Sequence, residues 1–370
     1  AERVPAHVVG DGKQTIQQLI DETNKDPRRG YGHENVLTQI SIDQQTERLI
    51  AAKNYTLETV LPKGEILYLK TTANISTGGT AIFAITGTNG KTTTTRLIAH
   101  ILRNSGKTVG FTTTDGTYIG NNQIVTGDNT GPVSAQLVLR DPTVEVAVLE
   151  TARGGIIRAG LGFDHCDVAV VTNVAADHLG LKDVNTLEDL ARVKSVVPRS
   201  VSKKGYAVLN AEDENVYQMK ELVDGHLVYF AMNENHKNIK RQSERGRVSC
   251  VFENGYITIL KGKWKVRIEK AINIPLTYGG KAEFMIQNVL AATLASFVHG
   301  VSLEDIRVGL TTFNPSVAQT PGRLNFIEIN DFTVMLDFAH NPAGFIGLQA
   351  FINKLNYKHK TGILSGVGDR

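Results

Sequence analysis

Cysteine is nearly absent from this chain: its 370 residues hold two, Cys166 and Cys250. Two thiols cannot form a disulfide framework, so a reducing, cytoplasmic compartment is expected. Charge of one sign is not in excess either, since 40 Lys and Arg against 37 Asp and Glu leave a formal net charge of +3. That balance gives no reason to expect nucleic acid or membrane as a partner. No apolar run approaches the ~20 residues that span a bilayer. The first residues, Ala1-Glu2-Arg3-Val4, carry neither an initiator methionine nor a signal-peptide pattern, so the chain is expected to begin inside a longer protein. What remains, 41% hydrophobic and 21% charged, is the composition of a soluble globular chain of two or three domains.

Glycine, in contrast, is plentiful at 35 residues, and one cluster of it organises the chain. Residues 82–85 are a short apolar run that predicts a buried strand, 87–90 form a glycine-rich turn, and 96–102 carry apolar residues at helical spacing. Strand, glycine turn and helix in that order make a phosphate cradle, in which turn N–H groups and the unpaired donors of the helix N-terminus face an anion. Lys91 adds a mobile positive charge for the β- and γ-phosphates, and Thr92 a hydroxyl for Mg²⁺. The strict form G-x-x-x-x-G-K-S/T would need glycine at position 85, where Ile85 stands, so this turn is shorter. A glycine turn that binds nothing is the competing reading. It leaves four consecutive threonines, Thr92, Thr93, Thr94 and Thr95, with little purpose in packing.

Downstream the chain alternates strand and helix, as an α/β protein does. Residues 144–149 predict a strand ending at Glu150, and 168–172 a strand ending at Asn173 that leads to Asp177 and His178. Open α/β sheets bind ligands at the carboxyl ends of their strands, which puts Glu150 and His178 on the edge of the phosphate loop. On residues alone, Glu150 is equally an ordinary surface acid. Thr186 predicts a helix start with Asp189 as its capping-box partner, and Lys194 falls within that helix. Residues 112–116 and 127–132 are polar loops suited to a substrate. Residues 151–158 read as a flexible turn whose Arg153 and Arg158 would either hold carboxylates through paired hydrogen bonds or be solvated. Residues 206–268 read as strands with hairpin turns at Asn254-Gly255 and Lys261-Gly262, and 281–299 as a helix. Upstream the texture differs: a turn at 8–12, helices over 14–23 and 45–52, a strand over 66–70, and a Gly/Ser/Thr loop over 71–80.

The run Thr86-Gly87-Thr88-Asn89-Gly90-Lys91-Thr92-Thr93 resembles the ATP loop of the Mur-type ligases, which make amide bonds of bacterial cell-wall peptides and of folylpolyglutamate. The resemblance implies ATP and Mg²⁺ as cofactors, with Gly87, Thr88, Asn89, Gly90, Lys91, Thr92 and Thr93 at the nucleotide. Glu150-Thr-Ala and Asn173-Val-Ala-Ala-Asp-His178 match the family's metal motifs, so Thr92, Glu150 and His178 would hold Mg²⁺. Lys194 lies sixteen residues beyond His178, close to the spacing at which related ligases carry a carbamylated lysine; a solvated lysine is the alternative. Asn288, in Gln287-Asn288-Val-Leu-Ala-Ala, would touch the adenine, although Phe284-Met285 stands where the family has His-Asn. Thr320-Pro-Gly-Arg323 and Asp337-Phe-Ala-His340-Asn341-Pro look like the family's last domain boundary. By that likeness Arg323 would meet the γ-phosphate, Asp337 the ribose hydroxyls, and His340 and Asn341 the nucleotide edge. Lys91, Glu150, His178, Lys194 and Arg323 make up the implied catalytic set.

Arg3-Val-Pro-Ala-His-Val-Val-Gly-Asp-Gly-Lys13 and Ala73-Asn-Ile-Ser-Thr-Gly-Gly79 resemble parts of an ATP-grasp domain. An ATP-grasp module followed by a Mur-type module is the arrangement of the cyanophycin synthetase family, which elongates a polyaspartate backbone and attaches arginine to its side chains. The implied partners are L-aspartate, L-arginine and a cyanophycin primer, with a homo-oligomer expected. The implied domains are a partial ATP-grasp domain (1–81), a P-loop central domain with a mixed sheet (82–320) and the start of a Rossmann-like C-terminal domain (321–370). An ATP-grasp site also needs lysines before residue 1 and an acid pair after the Gly-Gly loop. Segments are therefore expected to be missing at both ends and between about Ala81 and Ile82, a natural deletion being the alternative. Two other functions stay open: a cell-wall or folylpolyglutamate type of Mur ligase, which leaves the loop around 74–79 unexplained, and a non-catalytic P-loop assembly protein, which leaves Glu150, His178, Arg323 and Asp337 unexplained.

Overall fold

The computed structural model describes residues 79–177, 179–180 and 184–364, together with a short antiparallel pair, β1 (Ala6–His7) with β2 (Ile66–Leu67). The expected turn at 8–12, the helices at 14–23 and 45–52, the loop over 71–78, His178 and the turn at 365–370 lie outside the described residues. The chain divides into two compact units, 1–80 and 81–370. Ala81 and Ile82 are consecutive members of one strand in the second unit, opposite Val146 and Ala147.

That strand, β3 (Ala81–Thr86), sits in an eleven-stranded sheet. In chain order the others are β4 (Val109–Thr113), β5 (Gly116–Ile119), β6 (Asn122–Thr126), β7 (Val146–Glu150), β8 (Cys166–Val171), β9 (Val201–Asn210), β10 (His226–Ala231), β11 (Val248–Glu253), β12 (Tyr256–Lys261) and β13 (Trp264–Lys270). Their spatial order is β13-β12-β11-β10-β9-β8-β3-β7-β4-β5-β6. From β4 to β11 neighbouring strands run parallel, and each edge is finished by antiparallel strands. The sheet is therefore mixed, as expected.

Both faces of the parallel centre are covered, so its strands read as unbroken apolar runs. Side chains still alternate: Phe83 and Ile85 join one core cluster and Ala84 the other, as Val168 and Val170 part from Ala169 and Val171. The first cluster is filled by helices α1 (Lys91–Asn104) and α8 (Glu283–Val298), with α9 (Leu303–Thr312) packed beside them. Leu97, Ile98, Ile101 and Leu102 of α1 are fully buried, each contributing about 1.5–3 kcal/mol by leaving water. The remaining helices are α2 (Pro132–Arg140), α3 (Arg153–Ala159), α4 (Leu187–Lys194), α5 (Val196–Arg199), α6 (Glu214–Gln218), α7 (Lys237–Glu244) and α10 (Pro342–Asn353).

Helix α1 starts at Lys91, five residues before the apolar spacing begins, because Thr92 to Thr95 are its first turns and are themselves buried. The turn expected over 151–158 is instead α3, and its Gly154-Gly155 pair is helical. A β-carbon on Gly155 would meet the Thr130 carbonyl oxygen at 2.9 Å, so the glycine serves close packing against that loop rather than flexibility. Asn254 and Gly255 both have positive φ, 50° and 82°, as a two-residue hairpin turn between β11 and β12 requires. Residues 325–336 form an antiparallel hairpin, β14 (Asn325–Ile329) with β15 (Phe332–Leu336), followed by α10, whose Phe351 is seated in the first core cluster.

Candidate active site

Strand β3 lies between β7 and β8, so the carboxyl ends of all three strands open onto one edge. Gly87 leaves β3 with φ of 149°, and Gly90 caps α1 in the left-handed region at 85°. A side chain at either place meets its neighbours as well as the wrong torsion. A β-carbon on Gly87 would lie 1.9 Å from Thr172 Oγ1, and one on Gly90 2.2 Å from Asn288 Oδ1. The turn is held from behind by the end of β8. Thr88 N–H donates to the Asn173 carbonyl at 2.8 Å, Asn89 N–H to Asn173 Oδ1 at 2.8 Å, and the Thr172 hydroxyl to the Asn89 carbonyl at 2.7 Å. Helix α1 has no side-chain cap and no acid in its first turn, so its opening N–H groups meet no competing carboxylate there.

Lys91 donates to the Thr88 carbonyl at 2.8 Å, its ammonium folded across the turn. Burial lowers its pKa, while the charges of Glu150 and Asp177 hold it up. Glu150 ends β7 only 2% exposed. It is buried, not a surface acid. Its Oε2 accepts one long bond from Thr114 N–H, at 3.3 Å, and its buried Oε1 has no partner. Burial raises the Glu150 pKa against the pull of Lys91, Thr92 and Arg323. Thr92 Oγ1 lies 3.2 Å from Thr114 Oγ1, which also receives Arg323 Nη2 at 3.5 Å. The Arg323 guanidinium is stacked 4.4 Å from the centre of the Phe338 ring. Thr93, also buried, follows in the first turn of α1.

Lys194 is the last residue of α4, whose Thr186 and Asp189 form the expected capping box. It is 3% exposed, which excludes the solvated reading, and its ammonium donates to the Gly87 carbonyl at 2.7 Å. Burial pushes its pKa well below the usual lysine value, and the charge of Lys91 pushes the same way. Asn288, buried on α8, stands against Gly90 of the turn. Asn341 and Asn89 exchange side-chain amide bonds of 2.9 and 3.1 Å although 252 residues separate them. Asn341 Oδ1 also caps α10 through Gly344 N–H. His340 Nε2 lies 3.8 Å from Asp177 Oδ1, and the pairing with Asp177 raises its pKa. Asp337 is spent locally, accepting the N–H groups of Leu324 and Ala339 at 3.0 and 2.8 Å, and burial raises its pKa.

The turn, Lys91, Thr92, Glu150, Lys194, Arg323, Asn288 and Asn341 are thus gathered by one strand edge. Arg153 and Arg158 lie on α3, next in the chain after Glu150. Sequence reading placed Thr114 in a polar loop and Asn173 and Asp177 in the motif that ends at His178 without giving any of them a role, and gave Thr172 no part beyond ending a strand. Asn173 and Thr172 carried the same signal as Glu150, a polar residue at the end of a buried strand. Among the described residues, no group of three or more His, Cys, Asp or Glu could hold a metal ion by itself. The unpartnered Glu150 Oε1 and the nearby Thr92 hydroxyl are nonetheless oxygen donors of the kind Mg²⁺ takes, one or two protein ligands completed by phosphate.

A model of the Mur ligase middle domain matches residues 85–296. The chain belongs to that family. The cyanophycin synthetase of Trichormus variabilis is 45% identical over 458 positions, covering 100% of this chain and 51% of that protein; that of Crocosphaera subtropica is 46% identical over 459 positions, covering 100% and 52%. The chain spans about half the length of these curated relatives. Both alignments are longer than the 370 residues present, so the relatives carry stretches with no counterpart here. The UDP-N-acetylmuramoyl-L-alanyl-D-glutamate--2,6-diaminopimelate ligase of Listeria monocytogenes is 29% identical, covering 78% of this chain and 57% of that ligase. Among solved structures, the E. coli FolC complex with DHPP and ADP has a TM-score of 0.57 at 17% identity, covering 95% of this chain and 77% of that one. A bifunctional folylpolyglutamate synthase/dihydrofolate synthase with Mn, AMPPNP and L-glutamate has a TM-score of 0.55 at 20% identity, covering 76% and 68%. At these identities the structures show a shared fold.

Proposed function

We propose that this chain is the ligase part of a cyanophycin synthetase, forming amide bonds at the expense of ATP. The carrying observation is the convergence of Lys91, Glu150 and Arg323 on one phosphate turn from segments far apart in the chain. The 45% identity along the whole chain favours this over a cell-wall ligase, where identity falls to 29% over 78% of it. The N-terminal segment to residue 81 would belong to an ATP-grasp module that adds aspartate, 82–320 to the arginine-adding central domain, and 321–370 to the start of the last domain.

In the arginine half-reaction an aspartate side-chain carboxylate of the polymer attacks the γ-phosphorus of ATP, giving an acyl phosphate and ADP. The α-amino group of arginine then attacks the acyl carbon, and phosphate leaves. The N–H groups that open α1 and Lys91 would hold the β- and γ-phosphates, and Arg323 would face the charge that builds on the transferred phosphoryl group. Thr92 and Glu150 would hold Mg²⁺ together with His178. When bound, that ion would neutralise phosphate charge. Asp337 would lie toward the ribose hydroxyls, and His340 and Asn341 toward the nucleotide edge, Asn341 also bracing the turn through Asn89. Lys194, whose pKa burial lowers, is suited to carbamylation by CO₂, which would put an anionic oxygen donor beside the site in place of a lysine nitrogen.

The test is ADP release by the full-length protein with an aspartate-rich primer, L-arginine, both or neither. Release with both, one ADP per arginine incorporated, is expected. Release that ignores arginine, or incorporation only of preformed β-aspartyl-arginine, would overturn the assignment.

A further inference from the structure

The hairpin of β4 and β5 turns through two residues, Thr114 and Asp115, at the carboxyl end of β4. Thr114 touches three members of the site: its N–H donates to Glu150 Oε2 at 3.3 Å, its hydroxyl lies 3.2 Å from that of Thr92, and it receives Arg323 Nη2 at 3.5 Å. Those groups come from β7, from α1 and from the segment between α9 and β14. All three contacts are long, so they do not by themselves fix where Thr114 stands.

Arg96 does. It follows Thr92 by four residues on α1, so the two side chains leave one face of the helix a turn apart. Its Nη2 donates to Asp115 Oδ2 at 3.2 Å and to the Tyr118 hydroxyl at 2.8 Å, and its guanidinium lies 4.8 Å from the Tyr118 ring centre. Tyr118 is in turn stacked on Phe111 of β4, with centroids 4.5 Å apart and planes 4° from parallel. Helix and hairpin turn are thus joined by two successive rungs, Thr92 to Thr114 and Arg96 to Asp115. The Asp115 carbonyl also accepts Gly127 N–H at 3.1 Å, which ties the start of the polar loop at 127 to the same point.

Arg96 is 5% exposed, and the Asp115 side chain 23%. A buried ion pair is a poor means of stabilising a fold, because taking both charges out of water offsets most of their attraction and an apolar pair serves packing as well. What it supplies is register. Two directional bonds and a ring face are satisfied together by one placement of the turn only. We propose that Arg96 and Asp115 are positioning residues for phosphoryl transfer, setting Thr114 so that Thr92, Glu150 and Arg323 keep their mutual spacing. That role rests on the ligase function proposed above. Lys91 is placed by the glycine turn, which the end of β8 holds, so binding of nucleotide without metal is independent of the pair.

The experiment uses the full-length protein and a fluorescent, non-hydrolysable ATP analogue, bound in EDTA and across a Mg²⁺ titration. Binding is read as the part that Lys91→Ala removes, which leaves out any second nucleotide site. Asp115→Asn keeps the shape and removes the charge, and Tyr118→Phe keeps the ring and removes one bond to Arg96. Arg103→Gln is the control, since Arg103 ties the far end of the same hairpin through the Gly120 carbonyl and Asn121. In Asp115→Asn, binding in EDTA is expected to be unchanged, while the Mg²⁺ needed for tight binding rises about tenfold and kcat for arginine-dependent ADP release falls about tenfold at unchanged KM for primer. Tyr118→Phe should move the same two quantities less, and Arg103→Gln neither. Wild-type Mg²⁺ dependence and kcat in Asp115→Asn would overturn the proposal, as would equal weakening with and without Mg²⁺, or the same shifts in Arg103→Gln. If Asp115→Asn does not fold, Tyr118→Phe decides by the same measurements. Unshifted variants beside a wild type that releases ADP with arginine would leave the ligase reading standing. A wild type without that release, but with the Asp115-dependent Mg²⁺ step, would instead overturn the ligase reading and keep the role of the pair.

Discussion

Two glutamates of one sheet are almost equally hidden, Glu150 at 2% exposure and Glu253 at 4%, and they are treated in opposite ways. Glu253 ends β11, the last parallel strand, where the antiparallel wing of β12 and β13 begins. It accepts bonds from Asn254, Thr258, Lys265 and Arg267, and these partners, Arg267 foremost and then Lys265, hold its pKa down to about 2. Glu150 ends β7 in the parallel centre, with one backbone N–H on one oxygen and nothing on the other, and burial raises its pKa. A carboxylate that serves the fold is completed by the fold. One that is left incomplete where Lys91 and Arg323 also converge is arranged for something that arrives later, and the cost of burying it is borne by the rest of the core.

The sharpest test of the comparison is Lys91→Ala. Loss of a charged contact to the transferred phosphate is expected to lower arginine-dependent ADP release by ~10² or more while aspartate addition continues, read by assaying each half-reaction separately. Arginine addition at the wild-type rate would return the turn to a structural role. Gly90→Ala is expected to cost about 1–3 kcal/mol in denaturant unfolding, because positive φ is strained for alanine, and to weaken nucleotide binding. Adding Asn288→Ala should recover part of that cost, the part due to the 2.2 Å clash, but not the torsional part.

Neutralising the two glutamates separates them directly. For Glu253 the folded pKa is depressed, so its stabilisation is present above the unfolded value of 4.5 and is lost as pH falls through about 2. Glu253→Gln should therefore lower the midpoint of thermal unfolding at pH 7 and change it little near pH 2. For Glu150 the folded pKa is raised, so its buried charge opposes folding at neutral pH and the penalty fades on acidification. Glu150→Gln should raise the midpoint by a few degrees at pH 7 while shifting Mg²⁺ dependence of ADP release to higher concentration. A lowered midpoint in both variants would erase the distinction.

The smallest effect is expected at His340. Its folded pKa is raised by Asp177, so the contribution is complete below the ordinary value of 6.5 and disappears as pH rises through the folded one. Thermal midpoints of His340→Gln and wild type should differ most at mildly acidic pH and converge in alkali.

Much of the site was readable because its parts announce themselves locally. A glycine turn between an apolar strand and a helix, a polar residue at the end of a buried strand, and a capping box at Thr186 are short-range signals, and the structure has each of them. The helical Gly154-Gly155 pair misled, because glycine reads as a turn until the Thr130 carbonyl oxygen lying against it is known. Asn173 and Asp177 were read only as part of the motif around His178, because their own work is done on groups across the fold, on Asn89 and His340.

By itself the sequence determined the strand and helix periods, the place of the phosphate turn and the identity of the groups that could serve there, since propensity, hydrophobic alternation and capping act over a few residues. Tertiary structure alone decided what those groups experience. Lys194 became a buried amine on the Gly87 carbonyl, Glu150 an under-partnered acid and Asn341 a brace for Asn89, because desolvation and hydrogen bonding depend on neighbours tens to hundreds of residues away, set only when β3 is packed between β7 and β8.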